Sequence, residues 1–204
     1  MLLIPIILIV IFSIIIHEVS HGYMADVLGD PTPRLQGRLT LNPLKHLDPV
    51  GSVVVPIFSY MLFHTTFGWA KPVVYNPYNI KNKRQGEFLI AVAGPASNIG
   101  LALIFGTIIR FVVPQALVIG PFIEICVYIV QINMVLALFN LIPVPPLDGS
   151  KILFSVLPTK YTKARFALEM YAPIFVFIAL FFLWNIVSPI IPLIFKLFTG
   201  FGMM

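Results

Sequence analysis

Long apolar stretches separated by short polar ones dominate this chain. Residues 2–28, 88–113, 117–141 and 171–187 are each apolar over roughly the length that a helix needs to cross a bilayer, about 20 residues. They predict four transmembrane helices. A further apolar run, 50–69, is long enough to cross but is interrupted at Pro56. In residues 34–41, leucines at 35, 39 and 41 alternate with polar residues at 34, 36, 38 and 40, the period of a half-exposed strand. Asn42-Pro43 and Asp48-Pro49 mark turns. Residues 68–77 read as extended chain at the membrane interface, with Trp69, Tyr75 and Tyr78 as aromatic anchors. Pro143, Pro145 and Pro146 forbid a regular helix there. Non-helical backbone beside a membrane is tolerated only where protein or a watery cavity surrounds it. Pro189 and Pro192 break the pattern after the last span and predict a short interfacial tail. The expected fold is all-α integral membrane: about four transmembrane helices, a re-entrant or interfacial segment, and short membrane-edge β-strands.

Composition agrees with the pattern. The 204 residues are 59% hydrophobic and 10% charged, with mean hydropathy +0.98, whereas soluble domains carry about a quarter charged residues. That leaves no room for a separate soluble domain. One membrane-embedded domain over 1–204 is expected, with a core of 1–155 and a C-terminal helical region of 156–204. The net charge of +5 does not indicate nucleic acid, because the basic residues sit in short loops between apolar segments. The single cysteine, Cys126, lies in an apolar run and reads as a buried thiol, which excludes a disulfide and a thiolate metal site. The N-terminal run lacks a basic leader and a small-residue cleavage site, so it reads as an uncleaved first span.

The chemistry begins inside that first span, at His17-Glu18-Val19-Ser20-His21. Two histidines four apart lie on one face of a helix and can share one metal ion. Glu18, one step on from the first, is the residue such motifs use as general base. Ionisable groups at membrane depth are costly, about 2.5–3.5 kcal/mol for a central aspartate, so a chance match is rare there. The bland alternative is a helix end whose polar residues have reached the headgroups. His46 and His64 have no ligand spacing and read as loop or interfacial histidines. Asp26 and Asp48 have only proximity to recommend them as supporting groups. No histidine pairs with a serine in a nucleophile-elbow or dyad pattern, which argues against a serine protease.

Three motifs together resemble the site-2 proteases, a family of intramembrane zinc metalloproteases. They are His17-Glu18-Val19-Ser20-His21, Gly94-Pro95-Ala96-Ser97-Asn98, and the run from Asn140 to Gly149, which fits N-x-x-P-x-P-x-L-D-G. Residues 42–45 and 68–73 also resemble loops of small prokaryotic members. The resemblance covers about residues 14–155. There is no room for the PDZ-like or CBS domains of larger members. It implies one zinc ion held by His17, His21 and Asp148, with Glu18 as general base and zinc-activated water as nucleophile. The residues agree, since Asp148 is an acidic residue just past an apolar segment, flanked by prolines and followed by a glycine that permits a tight turn; its bland alternative is a helix-ending turn aspartate. Asn98 and Asn140 are candidates for stabilising the oxyanion or holding substrate, and Asn98 could instead tie helices together. Ser97 reads as a small packing residue.

The resemblance also implies an order of helices, with the G-P-x-x-N helix antiparallel to the two that carry ligands. If residues 50–69 do not cross, all of the thirteen basic residues but Arg110 and Lys196 fall on one side; if they cross, five face eight. The positive-inside rule favours the first arrangement, with the active site towards the cytoplasm and both termini outside. The expected substrate is a single-pass membrane protein in the lipid bilayer, cut in or near its transmembrane segment, with residues 34–41 as an edge strand that clamps it. The oligomeric state stays open. The competing readings are a catalytically silent scaffold of the same fold and a metal-dependent hydrolase of lipids. An intact Glu18 and Asp148 weigh against the scaffold, and no residue pattern favours the lipid hydrolase.

Overall fold

The computed structural model describes residues 3–63, 70–112, 120–172 and 184–202. Helix α1 is Leu3–Val27, followed by a single turn α2, Thr32–Leu35. A π-helical stretch, Val50–Val54, runs into α3, Val55–Phe63. Next come α4 (Lys83–Val112), α5 (Pro121–Asn140), α6 (Asp148–Val156) and α7 (Thr162–Met170). The chain ends in α8 (Trp184–Val187) and α9 (Ile190–Thr199). Among the described residues, three helices, α1, α4 and α5, are long and apolar enough to cross a membrane. Most of the predicted span at 171–187 lies outside the described residues.

Three helices pack around one polar layer. Ser13 of α1 meets Asn98 of α4 and Asn133 of α5, whereas His21, two turns further along α1, meets Ile90, two turns back along α4. Helices α1 and α4 are therefore antiparallel. Asn133 stands beside Ser13 while Asp148, beyond the end of α5, stands beside His21, so α5 runs with α1. This is the alternation that the resemblance implied. An apolar core forms on the far side of the polar layer from Ala102 and Ile109 of α4, Cys126, Val130 and Met134 of α5, and Val187, Ile191 and Phe195 near the C-terminus. Cys126 is fully buried, as its apolar neighbours predicted.

Two expectations need correction. Residues 34–41 form no strand, and no strand occurs among the described residues. Pro33 in the first turn starts α2 instead, and Gly37, at φ +63°, turns the chain where a strand would have to continue. Arg34 points back to Asp26, and Leu35 is 81% exposed, so the alternation had no sheet to face. The prolines of the C-terminal tail do not break it either, since a ten-residue helix forms there. Pro189 caps α9 and Pro192 sits in its first turn, where a missing N–H costs nothing. Ile191, Phe195 and Thr199, four apart, are then buried on one face. Residues 50–63 are helical over about 21 Å at 1.5 Å per residue, less than the ~30 Å hydrocarbon core. Residues 64–69 lie outside the described residues.

Candidate metal centre

His17 and His21 sit one turn apart on α1, both more than nine-tenths buried. Their rings meet edge to face with centroids 4.6 Å apart. Each ring is oriented through Nδ1. His17 Nδ1–H donates to Asn98 Oδ1 at 2.6 Å, and His21 Nδ1–H donates to the Ile90 carbonyl at 2.6 Å. With those protons assigned from the partners, the neutral rings turn bare Nε2 lone pairs towards each other. Both converge on one carboxylate oxygen, Asp148 Oδ2, at 3.1 Å from His17 and 3.0 Å from His21, and the two Nε2 atoms are 3.0 Å apart. With both rings neutral, all three atoms are acceptors, an arrangement that a bound cation satisfies. The separations approach the ~3.3 Å edge of a tetrahedron with ~2.0–2.1 Å bonds, the geometry of zinc with histidine and carboxylate ligands. The donor set fits zinc.

Asp148 reaches this point because the chain after α5 folds back on itself. Leu147 is extended, with φ −68° and ψ 153°, and Asp148 then opens α6. Lys151, one turn on, points its ammonium at the other carboxylate oxygen, 3.4 Å away. Gly149 has no positive φ; what it supplies is close approach. A Cβ there would lie 2.3 Å from the Leu141 carbonyl oxygen and 2.4 Å from that of Ile142. Gly94 has the same role on α4. A Cβ there would lie 2.4 Å from His21 Nε2 and 2.6 Å from His17 Nε2, in the space between the rings. Pro95 beside it has no N–H for the Ala91 carbonyl one turn back, and the neighbouring Ile90 carbonyl takes the His21 proton.

Glu18 is half-buried, and its Oε2 accepts the Val73 backbone N–H at 2.9 Å. Val73 lies in the irregular strap 70–76, read from the sequence as extended chain. The side chains of Val73 and Leu39 close over Gly22, one residue past His21. The strap is pinned at both ends. Lys71 N–H donates to the His46 carbonyl at 2.9 Å, and Asn76 N–H donates to Asp30 at 2.6 Å.

The other candidates fall elsewhere. Asn98 is fully buried, with its carbonyl on His17 and its amide on Asn133 Oδ1 at 2.7 Å. Asn140 returns its amide to the Leu136 carbonyl of its own helix, with no hydrogen bond to His17, His21 or Asp148 among the described residues. Ser97 bonds the Gly94 carbonyl. Asp26 pairs with Arg34, and Asp48 accepts N–H groups of Val50 and Gly51. His46 is buried, donates to the Thr40 carbonyl and stands apart from the histidine–carboxylate cluster. His64 lies outside the described residues. Sequence reasoning passed over Ser13, Asn133 and Asp30. Ser13 is one turn before His17 on the same face, and Asn133 is an amide in the middle of an apolar helix, a signal in its own right.

The family model described as peptidase family M50 matches residues 106–184, a range that includes Asp148 but not His17 or His21. "Putative zinc metalloprotease YwhC" of Bacillus subtilis (strain 168) is 37% identical over 179 residues, covering 84% of this chain and 77% of that protein. "Putative zinc metalloprotease Rip2" of Mycolicibacterium smegmatis is 33% identical over 140 residues, covering 68% of this chain and 52% of that protein. No solved structure matches. The chain belongs to peptidase family M50, the zinc-dependent site-2 type proteases.

Proposed function

We propose that this protein is an intramembrane zinc endopeptidase that hydrolyses peptide bonds in or near the transmembrane segments of single-pass membrane proteins. The observation that carries the reading is the meeting of three lone-pair atoms, those of His17 and His21 on a membrane-length helix that also carries Glu18, and that of Asp148 from α6. Zinc, when bound, supplies positive charge that acidifies water and polarises a carbonyl. The remaining work belongs to the chain. His17, His21 and Asp148 hold the ion, and their buried setting keeps them in one geometry. Glu18 takes a proton from the attacking water and returns it to the leaving amine. The Val73 N–H fixes one carboxylate oxygen of Glu18, which leaves the other for that proton. Asn98 acts by orienting His17, since both ends of its amide are engaged. Asn140 is the remaining candidate for contact with substrate.

The antiparallel packing of α1 and α4 supports a segment 50–69 that does not cross, because a further crossing between them would make them parallel. With the basic residues counted on that basis, the active site faces the cytoplasm and both termini lie outside. The test is cleavage of a transmembrane reporter substrate by wild type and Glu18→Gln, alongside metal analysis. Zinc in both with cutting by wild type alone is the expected result. Equal cutting by the two, or no zinc in either, contradicts the proposal.

A further inference from the structure

Behind His17 lies a line of buried polar side chains that none of the three motifs contains in full. Asn133 Nδ2 donates to the Ile129 carbonyl and to Ser13 Oγ, each at 2.9 Å. Asn133 Oδ1 accepts Asn98 Nδ2 at 2.7 Å, and the same Nδ2 faces the Ser13 carbonyl at 3.4 Å. Asn98 Oδ1 accepts His17 Nδ1–H at 2.6 Å. Asn98 and Asn133 are fully buried, and Ser13 is 3% exposed.

The direction of this line is not arbitrary. The two backbone carbonyls, of Ile129 and Ser13, can only accept. The first forces the NH2 end of Asn133 towards itself, which turns Oδ1 to Asn98. The second, together with that Oδ1, forces the NH2 end of Asn98 away from His17. Only Oδ1 of Asn98 then remains to face the ring, so Nδ1 of His17 must carry the proton and Nε2 must be bare. Reversing any amide would set two acceptors or two donors against each other in an apolar bundle, where an unmade hydrogen bond is costly.

We propose that Asn133 is a positioning residue for zinc: through Asn98 it fixes the orientation and the proton of His17, so that Nε2 is presented to the metal. The inference rests on the reading of His17 as a zinc ligand. It extends the metal site to α5, a helix that gives no ligand of its own. Outer partners of metal-bound histidines typically alter metal affinity by ~10–100-fold when removed.

The test compares Asn133→Leu and Asn133→Asp in the full-length protein. In the apolar bundle a neutral carboxyl at 133 reproduces both ends of the amide, one oxygen accepting from Asn98 and an O–H donating to Ile129 or Ser13. Two readouts are taken: zinc affinity by competition with a chelator, and the ring 15N shifts of His17 in the metal-free protein. The expected result is zinc affinity ~10–100-fold weaker in Asn133→Leu, with the His17 proton no longer confined to Nδ1, and near wild-type behaviour in Asn133→Asp. If Asn133→Leu matches wild type in both readouts, or both variants lose zinc with His17 still protonated at Nδ1, the proposal is overturned and Asn133 serves packing alone. A wild type that binds no zinc would instead overturn the metalloprotease reading, and the ring nitrogens of the metal-free variants would still decide the relay.

Discussion

Inside the helix bundle, Ser13, Asn133, Asn98 and His17 form a line of hydrogen bonds on three helices. At the end of α1, Asp30 gathers Thr32 from the start of α2 and Asn76 and Asn79 from the segment before α4. Both networks are buried and both are satisfied, yet they are built differently. The inner one is uncharged, directional and carried on helices, so its geometry is set by packing. The outer one is centred on a single carboxylate that accepts from backbone and side-chain donors, so its geometry depends on one charge. They also serve different parts of the site. The inner network orients the His17 ring, and the outer one anchors the strap whose Val73 N–H holds Glu18. Metal binding and proton transfer should therefore be separable by mutation.

The largest break is expected inside the bundle. Gly94→Ala would place a methyl group between the two Nε2 atoms, within 2.6 Å of each. The two rings would have to turn aside, and zinc content should fall to background along with cleavage. Metal analysis of the purified variant checks this. A variant that holds stoichiometric zinc would mean that the rings do not converge beside Gly94.

Next in size is a change in the strap. Val73→Pro removes the N–H that Glu18 accepts. A hydrogen bond to a charged group is worth about 1.5–3 kcal/mol, so cleavage should drop ~10–100-fold with zinc retained. Loss of zinc together with activity would show that the two networks are not independent.

The smallest effect concerns acid stability. Burial opposes ionisation of Asp30, but the Thr32 hydroxyl, the Asn79 amide and the N–H groups of Asn76 and Thr32 outweigh it and hold the carboxyl below the ordinary range. Its stabilising contribution is therefore present above the unfolded value of ~3.9 and is lost as pH falls through the lower folded value. Asp30→Asn should lower the melting temperature at pH 7 and narrow the difference between pH 7 and pH 3. Parallel thermal unfolding of wild type and variant measures this. An unchanged difference would remove Asp30 as the anchor.

The same contrast explains what could be read from the sequence. His17 and His21 are legible because helix geometry converts a spacing of four into a shared face. Ser13 obeys the same spacing and could have been found with it. Asp148 required the resemblance, since 131 residues separate it from His17 and no local pattern links them. Asp30 gave no signal at all. Its partners Asn76 and Asn79 are 46 and 49 residues away, and such pairings are set by where loops close. The strand expected at 34–41 failed for a related reason: alternation marks two faces of a segment, but only a neighbouring strand makes it a sheet. Gly149 reads from the sequence as a turn glycine and Gly94 as a motif letter, whereas both matter for the absence of a side chain where two segments touch.

The central claim is a metal site of two imidazoles and one carboxylate, with no sulfur, set in the helix bundle. X-ray absorption at the zinc edge of the purified protein tests it most directly. Two histidine nitrogens at ~2.0–2.1 Å with the remaining scatterers oxygen at ~2.0–2.2 Å is the predicted shell, reduced by one oxygen ligand in Asp148→Ala. A third imidazole, a sulfur scatterer, or an unchanged shell in Asp148→Ala would contradict the site described here.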